Sequence, residues 1–465
     1  MHMKLDHASQ TAEEHRGIEE WVAKNIGGRV TRIERQRRWR PVWRVDVEKD
    51  GEHLPLVFKG MRAWDAIPFT LEHEYRMLEV LAANGIPVPP LHGMCDYPEA
   101  FVMTWVTGGR DPGLVVEAIE KKSEISPDRW QASLEYMEIL AKMHSIPPEQ
   151  FEAAGCRMPV GNADINLNFY ERFYELYQKL GISDPFMEFC TGWLRRNVPA
   201  APPMLSFVTG DCGQFLSDGP KVTAVIDVEV GHLGDHFYDL ACFRGRHPVE
   251  NMGDIPALYA HYAKALGQPL DLDAIAYHTV SFLAMAVFTP LFGMKELQPG
   301  GDWVEGWFQV ALIARRAMEA MAEIVDVELD DVHLPPARKT PIEDLAINKL
   351  IFEIDRVPLS DAFADWQRNT ISAIPAYLRN AFHYGVWVQE QELDELEPIL
   401  GYRPQDAEAA DKALTEFVLA AGPEHDKTLI RLFHRRFLRH CLVIAGPNPP
   451  ADHIVLAKVQ PILHQ

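Results

Sequence analysis

The chain has 465 residues, of which 47% are hydrophobic and 24% are charged. This composition is typical of a globular protein with two or three domains and a large core. The formal net charge of −22 excludes general nucleic-acid binding, which needs a basic surface. No window reaches eighteen apolar residues and the N-terminus is polar and acidic, so we expect neither a membrane span nor a secretory signal, and a cytoplasmic location.

Six cysteines are scattered through the chain without the CxxC spacing of a zinc site or a redox motif. We expect all six to be free thiols in a reducing compartment.

The first part of the chain, residues 1–107, has the pattern of a small β-rich lobe. The predicted elements are a helix over 11–26, strands over 29–35, 42–48 and 54–59, a helix over 71–85 and a strand within 100–109. The turn Lys49-Asp50-Gly51-Glu52 joins the second and third strands into a hairpin. Several strands with one helix inserted among them predict an α+β lobe.

Residues 108–328 read as a mainly helical second lobe. Its amphipathic runs, with apolar residues at a period of 3.6, lie at 130–146, 169–181, 186–198, 235–245, 258–267 and 303–325. Residues 274–288 are apolar nearly all round, which predicts a helix at the centre of the lobe. The only strong strand signal here is a hairpin within QFLSDGPKVTAVIDVE (214–229), with the turn at Ser217-Asp218-Gly219-Pro220.

An acidic, proline-rich stretch at 326–341 indicates a further boundary. Residues 329–465 alternate helical patterns with polar turns and predict an all-α C-terminal domain. No internal repeat and no low-complexity tract interrupts this three-part organisation.

Residues 208–245 contain, in order, TGD, a hairpin, IDVE, HLGD and YDLA. This succession resembles the signature region of the aminoglycoside phosphotransferase family. The first lobe extends the resemblance through LVFKG, LEHEYRML, GIPVPPLHG and FVMTWVTGG, so that it covers roughly residues 20 to 325. The resemblance implies an α+β, protein-kinase-like fold with a small β-rich N-lobe and a helical C-lobe, here followed by the all-α C-terminal domain.

The resemblance also implies roles for individual residues in the transfer of a phosphoryl group from ATP. Asp211 would take or orient the proton of the attacking hydroxyl, and Asp227 would bind Mg²⁺, which prefers oxygen ligands. Lys59, paired with Glu74, would contact the nucleotide phosphates. The backbone from Thr104 to Val106 would hold the adenine.

Other residues in this region have structural interpretations. Asp239 matches the acid that braces the active-site loop in the family, and Asp235 is expected to cap a helix. His144 and Cys212 are expected to be packed core residues. Glu229 projects to the same side as Asp227 if the strand continues, and would touch either metal or water.

The chain departs from the family pattern at two points near the expected site. Thr209 stands where the family has histidine, and the loop after Asp211 is short. Alignment from Asp227 places Gln214 at the family's metal-binding asparagine, and we assign it as the second Mg²⁺ ligand.

The phosphate-binding turn is also unusual, because RQRRWRPVWR (35–44) carries five arginines. These guanidinium groups would bind phosphate, with Arg40 as our assigned nucleotide contact. The alternative is a solvated turn with Trp39 and Trp43 packed against the lobe.

For the acceptor, the sequence is closest in style to kinases of hydroxyacids or hydroxyacyl-CoA thioesters, and an aminoglycoside-type antibiotic is the alternative. A catalytically inactive kinase-like binding protein is the contrasting hypothesis, supported by Thr209 and the short loop. The C-terminal segment resembles small helical accessory proteins found beside such kinases. Its alternative roles are to support the second lobe or to form a homo-oligomer contact.

Overall fold

The computed structural model describes residues 7–36, 40–61, 67–109, 125–295, 302–359, 362–449 and 453–463. Within these ranges the chain forms a small β-rich lobe, a larger helical lobe and a helical C-terminal segment, which confirms the predicted kinase-like α+β fold. Trp39, in the arginine-rich turn, lies outside the described residues together with its neighbours 37 and 38.

The N-lobe is a five-stranded antiparallel sheet with the order β1-β2-β3-β5-β4. Its elements are α1 (His7–Asn25), β1 (Arg29–Arg35), β2 (Val42–Lys49), β3 (Glu52–Gly60), α2 (Leu71–Ala83), β4 (Leu91–Cys95) and β5 (Ala100–Thr104). The hairpin predicted between β2 and β3 is confirmed, and Trp43 is buried on its inner face. Alternating apolar positions in β2 and β3 bury that face under α1.

The C-lobe consists mainly of helices, and the predicted helical runs are confirmed. These helices are α3 (Pro127–His144), α4 (Pro148–Ala153), α5 (Asn162–Lys179), α6 (Pro185–Arg196), α7 (Phe237–Arg246), α8 (Ile255–Leu266), α9 (Leu272–Lys295) and α10 (Trp303–Ile324). The predicted hairpin forms from β7 (Phe215–Asp218) and β8 (Lys221–Val225).

A second small sheet was not predicted. Strands β6 (Leu205–Val208) and β9 (His232–Asp235) pair antiparallel on either side of the hairpin. The expectation that the hairpin is the only β structure of this lobe is therefore wrong. Each strand is only four residues long, which is too short for an alternating pattern to distinguish it from a loop.

Helix α9 lies at the centre of the C-lobe, as its uniformly apolar sequence predicts. Among the described residues, it is the one helix that is long and apolar enough to cross a membrane by length and composition alone. Of its most apolar window, 83% is buried inside the protein, as in the core helix of a folded lobe.

The C-terminal segment is helical, as predicted. It contains α11 (Pro341–Ile354), α12 (Ala362–Leu400), α13 (Ala407–Ala420) and α14 (Asp426–Ala445). Phe433 and Phe437 on α14 pack against Phe186 of α6, at ring-centroid distances of 5.7 and 4.9 Å. This segment therefore shares one continuous apolar core with the C-lobe.

Candidate active site

Asp211 lies in the turn that follows β6. Gly210, just before it, has φ of 75°, and a Cβ added there would come within 2.8 Å of the Val230 carbonyl oxygen. Only glycine fits this turn without strain. Asp239 holds this turn in place, because its carboxylate accepts hydrogen bonds from the N–H groups of Thr209 (2.9 Å) and Gly210 (3.2 Å). Asp239 thus has the bracing position expected from the sequence.

Thr209 contributes to the same arrangement. Its hydroxyl donates to Asp239 Oδ1 at 2.9 Å, so the residue that replaces the family's histidine also helps to hold the turn. His144 lies beneath, with Nε2 3.2 Å from Asp239 Oδ2 and Nδ1 2.7 Å from the Tyr262 hydroxyl. The prediction that His144 and Cys212 are packed core residues is confirmed, since both are fully buried.

Asp235 does not occupy the predicted N-cap position. It is the last residue of β9, and His236 takes the N-cap position of α7 without a side-chain hydrogen bond. Asp235 still accepts from the N–H of Phe237 at 2.9 Å, and its other oxygen lies 3.0 Å from His278 Nε2. Asp235 thus accepts a hydrogen bond from the first turn of α7 although it lies one residue before the N-cap position, because the β6–β9 pairing keeps Asp235 in the strand.

His236 makes the stability of this region sensitive to pH. Burial, and to a smaller extent repulsion from His144, lowers the pKa of His236 to about 4. In the unfolded chain the imidazole has a pKa of about 6.5, so acid protonates the unfolded state first. We expect the free energy of unfolding to fall by about 2.5 kcal/mol from this group between pH 7 and 4.5.

Replacing the ring tests that expectation. In His236→Phe, urea unfolding at pH 7 and 4.5 should show a smaller loss of stability than in the wild-type protein. The same loss in both proteins would contradict a neutral, buried His236.

The β7–β8 hairpin places Asp227 and Gln214 at its open end. The carbonyl of Gln214 accepts from the N–H of Ile226 at 3.0 Å, and Asp227 follows directly with φ of 62°. This left-handed conformation is uncommon for a residue other than glycine, and such conformations cluster at functional sites. The Gln214 amide nitrogen donates to Asp211 Oδ2 at 2.9 Å, which ties Gln214 to the proposed base three residues earlier.

The N-lobe reaches the same point through Lys59, near the end of β3. Its ammonium group lies 2.6 Å from Glu74 Oε1 and 2.5 Å from Asp227 Oδ1. Glu74 is 1% exposed, and burial raises its pKa, whereas attraction to Lys59 and Arg40 opposes that change. The structure thus brings together three of the residues assigned from the sequence.

Arg40 also points into this cluster. Its guanidinium donates to the Gly60 carbonyl at 2.9 Å, forms an ion pair with Glu229 and lies 3.9 Å from Glu74. Burial opposes its charge, but attraction to Glu229, Glu74 and Asp227 leaves the pKa of Arg40 raised. Glu229 is therefore paired with a cation rather than only with water, and Arg40 is part of the site rather than a solvated surface charge.

The donor set of this site fits a divalent cation. Carboxylate oxygens of Glu74, Asp227 and Glu229 lie within 4.8 Å of one another. The buried Gln214 Oε1 has no hydrogen-bond partner among the described residues. Hard oxygen ligands of this kind suit Mg²⁺. Asp227 with Gln214 remains our ligand assignment, and Glu229 is a third oxygen donor at the same place.

The segment after β5 has the position of the hinge between the lobes. The N–H of Thr104 already donates to the Pro90 carbonyl, and the N–H of Trp105 donates to Pro55, both at 2.8 Å. No described residue accepts from the N–H of Val106. Within the segment from Thr104 to Val106 that we assigned to adenine binding, only the N–H of Val106 has no acceptor among the described residues.

Arg246 was missed in the sequence. It lies at the end of α7 and forms ion pairs with Asp211 and with Glu250, in a position where its side chain is only 10% exposed. Burial opposes its charge, but attraction to these two carboxylates raises the pKa of Arg246. The Arg-x-x-x-Glu spacing was the available signal, but nothing in it indicated contact with Asp211, 35 residues away.

Phe363, the second residue of α12, was also missed. The Arg35 guanidinium lies over its ring at 5.3 Å from the centroid. Arg35 in turn donates to the carbonyl of Arg40 at 2.8 Å. The C-terminal segment therefore contacts the arginine-rich turn through Arg35.

Comparison with known proteins gives one family match. Residues 68–283 match the family described as the phosphotransferase enzyme family, abbreviated APH. The match contains Glu74, Asp211, Gln214 and Asp227. No curated protein shows significant similarity to the chain.

Several solved structures are similar to this chain, and three of them are described here. A type I macrolide 2'-phosphotransferase has 16% identity and a TM-score of 0.46, with 68% of this chain and 98% of that chain covered. Macrolide 2'-phosphotransferase MphH from Brachybacterium faecium has 16% identity and a TM-score of 0.44, with 60% and 93% covered. A thermostable mutant of aminoglycoside phosphotransferase APH(4)-Ia, in complex with ADP and hygromycin B, has 12% identity and a TM-score of 0.46, with 65% and 97% covered.

Proposed function

Residues 68–283 belong to the APH phosphotransferase enzyme family, and from this premise we propose that the protein transfers the terminal phosphoryl group of ATP to the hydroxyl of a small organic molecule. The observation that carries the proposal is the Lys59 ammonium, which joins Glu74 of the N-lobe to Asp227 of the C-lobe. A cation shared in this way marks where nucleotide phosphates would bind between the lobes.

The arrangement around Asp211 supports its role as the base. One oxygen accepts from Gln214 and the other is paired with Arg246, so the carboxylate is held in a fixed orientation. In the proposed reaction the acceptor oxygen forms a bond to the γ-phosphorus while the bond to the β-phosphate oxygen breaks. The hydroxyl proton passes to Asp211, and ADP leaves.

The electrostatic part of the reaction would fall to two cations of the N-lobe. Arg40 and Lys59 lie where they can neutralise phosphate oxygens, since both already pair with the acidic cluster. Asp227 and Gln214 would hold Mg²⁺, which would supply further positive charge against the ATP phosphates. Positioning and charge neutralisation are the main requirements of phosphoryl transfer.

We propose a hydroxyacid or a hydroxyacyl-CoA thioester as the acceptor, because the sequence resembles kinases that act on such molecules. Antibiotic sugars of the aminoglycoside or macrolide type are the alternative, and the names of the structural neighbours make them the natural comparison. A binding protein without catalysis is the third possibility, and an experiment on nucleotide binding, followed by an assay of turnover, tests it against the other two.

That experiment measures the melting temperature with ATP and Mg²⁺ together and with each alone. A ligand at 100 times its dissociation constant adds roughly 2.7 kcal/mol to the free energy of unfolding. We expect a stabilisation that requires both ATP and Mg²⁺ and that is lost in Asp227→Ala. The control is Asp218→Ala, which changes an exposed aspartate in the turn of the same hairpin and should leave the stabilisation intact.

Absence of any shift with ATP, GTP or ADP would contradict nucleotide binding and, with it, the proposed function. If the shift is present, ADP release should be assayed with a panel of hydroxyacids, hydroxyacyl-CoA thioesters and the antibiotics hygromycin B and erythromycin. Turnover with none of them, despite nucleotide binding, would favour the binding-protein hypothesis.

A further inference from the structure

The α11–α12 hairpin exposes an unusual amount of apolar surface. Of the 17 large hydrophobic side chains exposed in the described part of the chain, ten lie between residues 342 and 386. They are Ile342, Leu345, Leu350, Phe352, Val357, Leu359, Ile371, Leu378, Phe382 and Val386, each 39–74% exposed. We call this set the hairpin patch.

Helix α11 has almost no core of its own. Its one buried residue is Ile347, and polar contacts attach the helix to α12. Arg379 donates to Asn348 Oδ1 at 2.6 Å, and His383 Nε2 lies 3.0 Å from Asp344 Oδ1. A pair of helices cannot bury the apolar surface of both members, whereas four helices packed together can.

We propose that the hairpin patch is the interface of a homodimer, in which the hairpins of two copies of this chain pack into a four-helix arrangement. Such pairing is isologous, with the same surface on both subunits, and a two-fold axis closes it without leaving an open face. Charges of both signs lie within the patch, since Lys349 and Arg356 lie over the ring of Phe352 and Lys349 also pairs with Glu353. The patch therefore has no strong field that would select a highly charged partner.

The size of the patch agrees with this occupant. Full burial of a Val, Leu, Ile or Phe side chain removes on the order of 100 Å² of apolar surface, so ten that are about half exposed present roughly 500 Å². A standard protein interface buries about 800 Å² on each partner. Since a little over half of such an interface is apolar, the apolar surface of the ten side chains has the size that one partner contributes.

The experiment is sedimentation equilibrium of the full chain over a range of micromolar concentrations. The expected mass is twice the 52.8 kDa of the single chain. Leu345→Glu and Phe382→Glu each place a charge in the patch and should raise the dissociation constant by roughly 30-fold or more, as for residues at the centre of an interface.

The matched control is Leu419→Glu, which changes a leucine on α13 that is 67% exposed and lies outside the patch. This variant should remain dimeric. A monomeric wild-type protein at 100 micromolar would overturn the proposal, and so would patch variants that stay dimeric.

A second measurement does not depend on the folding of the variants. Hydrogen exchange of the α11 amides in the wild-type protein should slow as the concentration rises through the dissociation constant. Exchange rates that do not change with concentration would also overturn the proposal. Neither measurement uses nucleotide, so its outcome is independent of the proposed phosphotransferase activity.

Discussion

Asp211→Asn should lower kcat by roughly 10²- to 10⁴-fold, the usual contribution of a positioned general base. The substitution keeps the shape of the side chain, and its amide oxygen can still accept from Gln214 or Arg246, which both contact Asp211 in the wild-type protein. It removes the ability to take up a proton. Because the Lys59–Asp227 cluster is untouched, stabilisation by ATP with Mg²⁺ should persist.

The measurement is steady-state kinetics with the best acceptor, together with the melting temperature in the presence of ATP and Mg²⁺. Asp96→Asn, at an exposed position on the N-lobe, is the control and should have wild-type kinetics. Wild-type turnover in Asp211→Asn would show that the proton leaves by another route and would remove Asp211 from the chemistry.

Local patterns were sufficient to predict much of the fold. In strand β2 the apolar residues Trp43, Val45 and Val47 recur at every second position and are buried, as a half-buried strand requires. The uniformly apolar helix α9 could only lie in a core. In elements with a regular apolar pattern, such as these two, the sequence predicted the type and the approximate bounds. The short strand β4 and the bounds of the individual C-terminal helices were not predicted.

The contacts within the candidate site divide into two kinds. The Lys59–Glu74 pair was inferred from a resemblance, because residues on a strand and on the following helix meet in any lobe of this kind. The contact of Arg40 with Glu229 joins residues 189 positions apart, and that of Phe363 with Arg35 joins the C-terminal segment to the first strand. No local pattern encodes such contacts, which depend on how complete lobes pack.

The same distinction explains Arg246. Its spacing from Glu250 is visible in the sequence, but its partnership with Asp211 exists only because α7 ends beside the turn after β6. The ion pairs make Arg246 a positioning residue for the proposed base. The same ion pairs make Arg246 important for the stability of the folded protein.

Arg246→Met should lower the free energy of unfolding by about 3 kcal/mol, the range observed when one partner of a buried ion pair is removed. Methionine fills a similar volume but leaves the carboxylates of Asp211 and Glu250 without their shared cation. Glu250 has a side chain that is only 8% exposed, so water can compensate little of that loss. Urea denaturation at pH 7 measures the difference.

A double-mutant cycle distinguishes lost charge pairing from lost packing. If loss of the Arg246–Glu250 pairing causes the destabilisation, adding Glu250→Gln to Arg246→Met should recover at least about 1 kcal/mol, because neighbouring residues in one ion-pair network are not additive. If the two changes simply add, packing of the arginine stem is responsible, and the electrostatic account of Arg246 is wrong. Recovery of stability without recovery of kcat would be the expected combination, since the double variant still lacks the cation that orients Asp211.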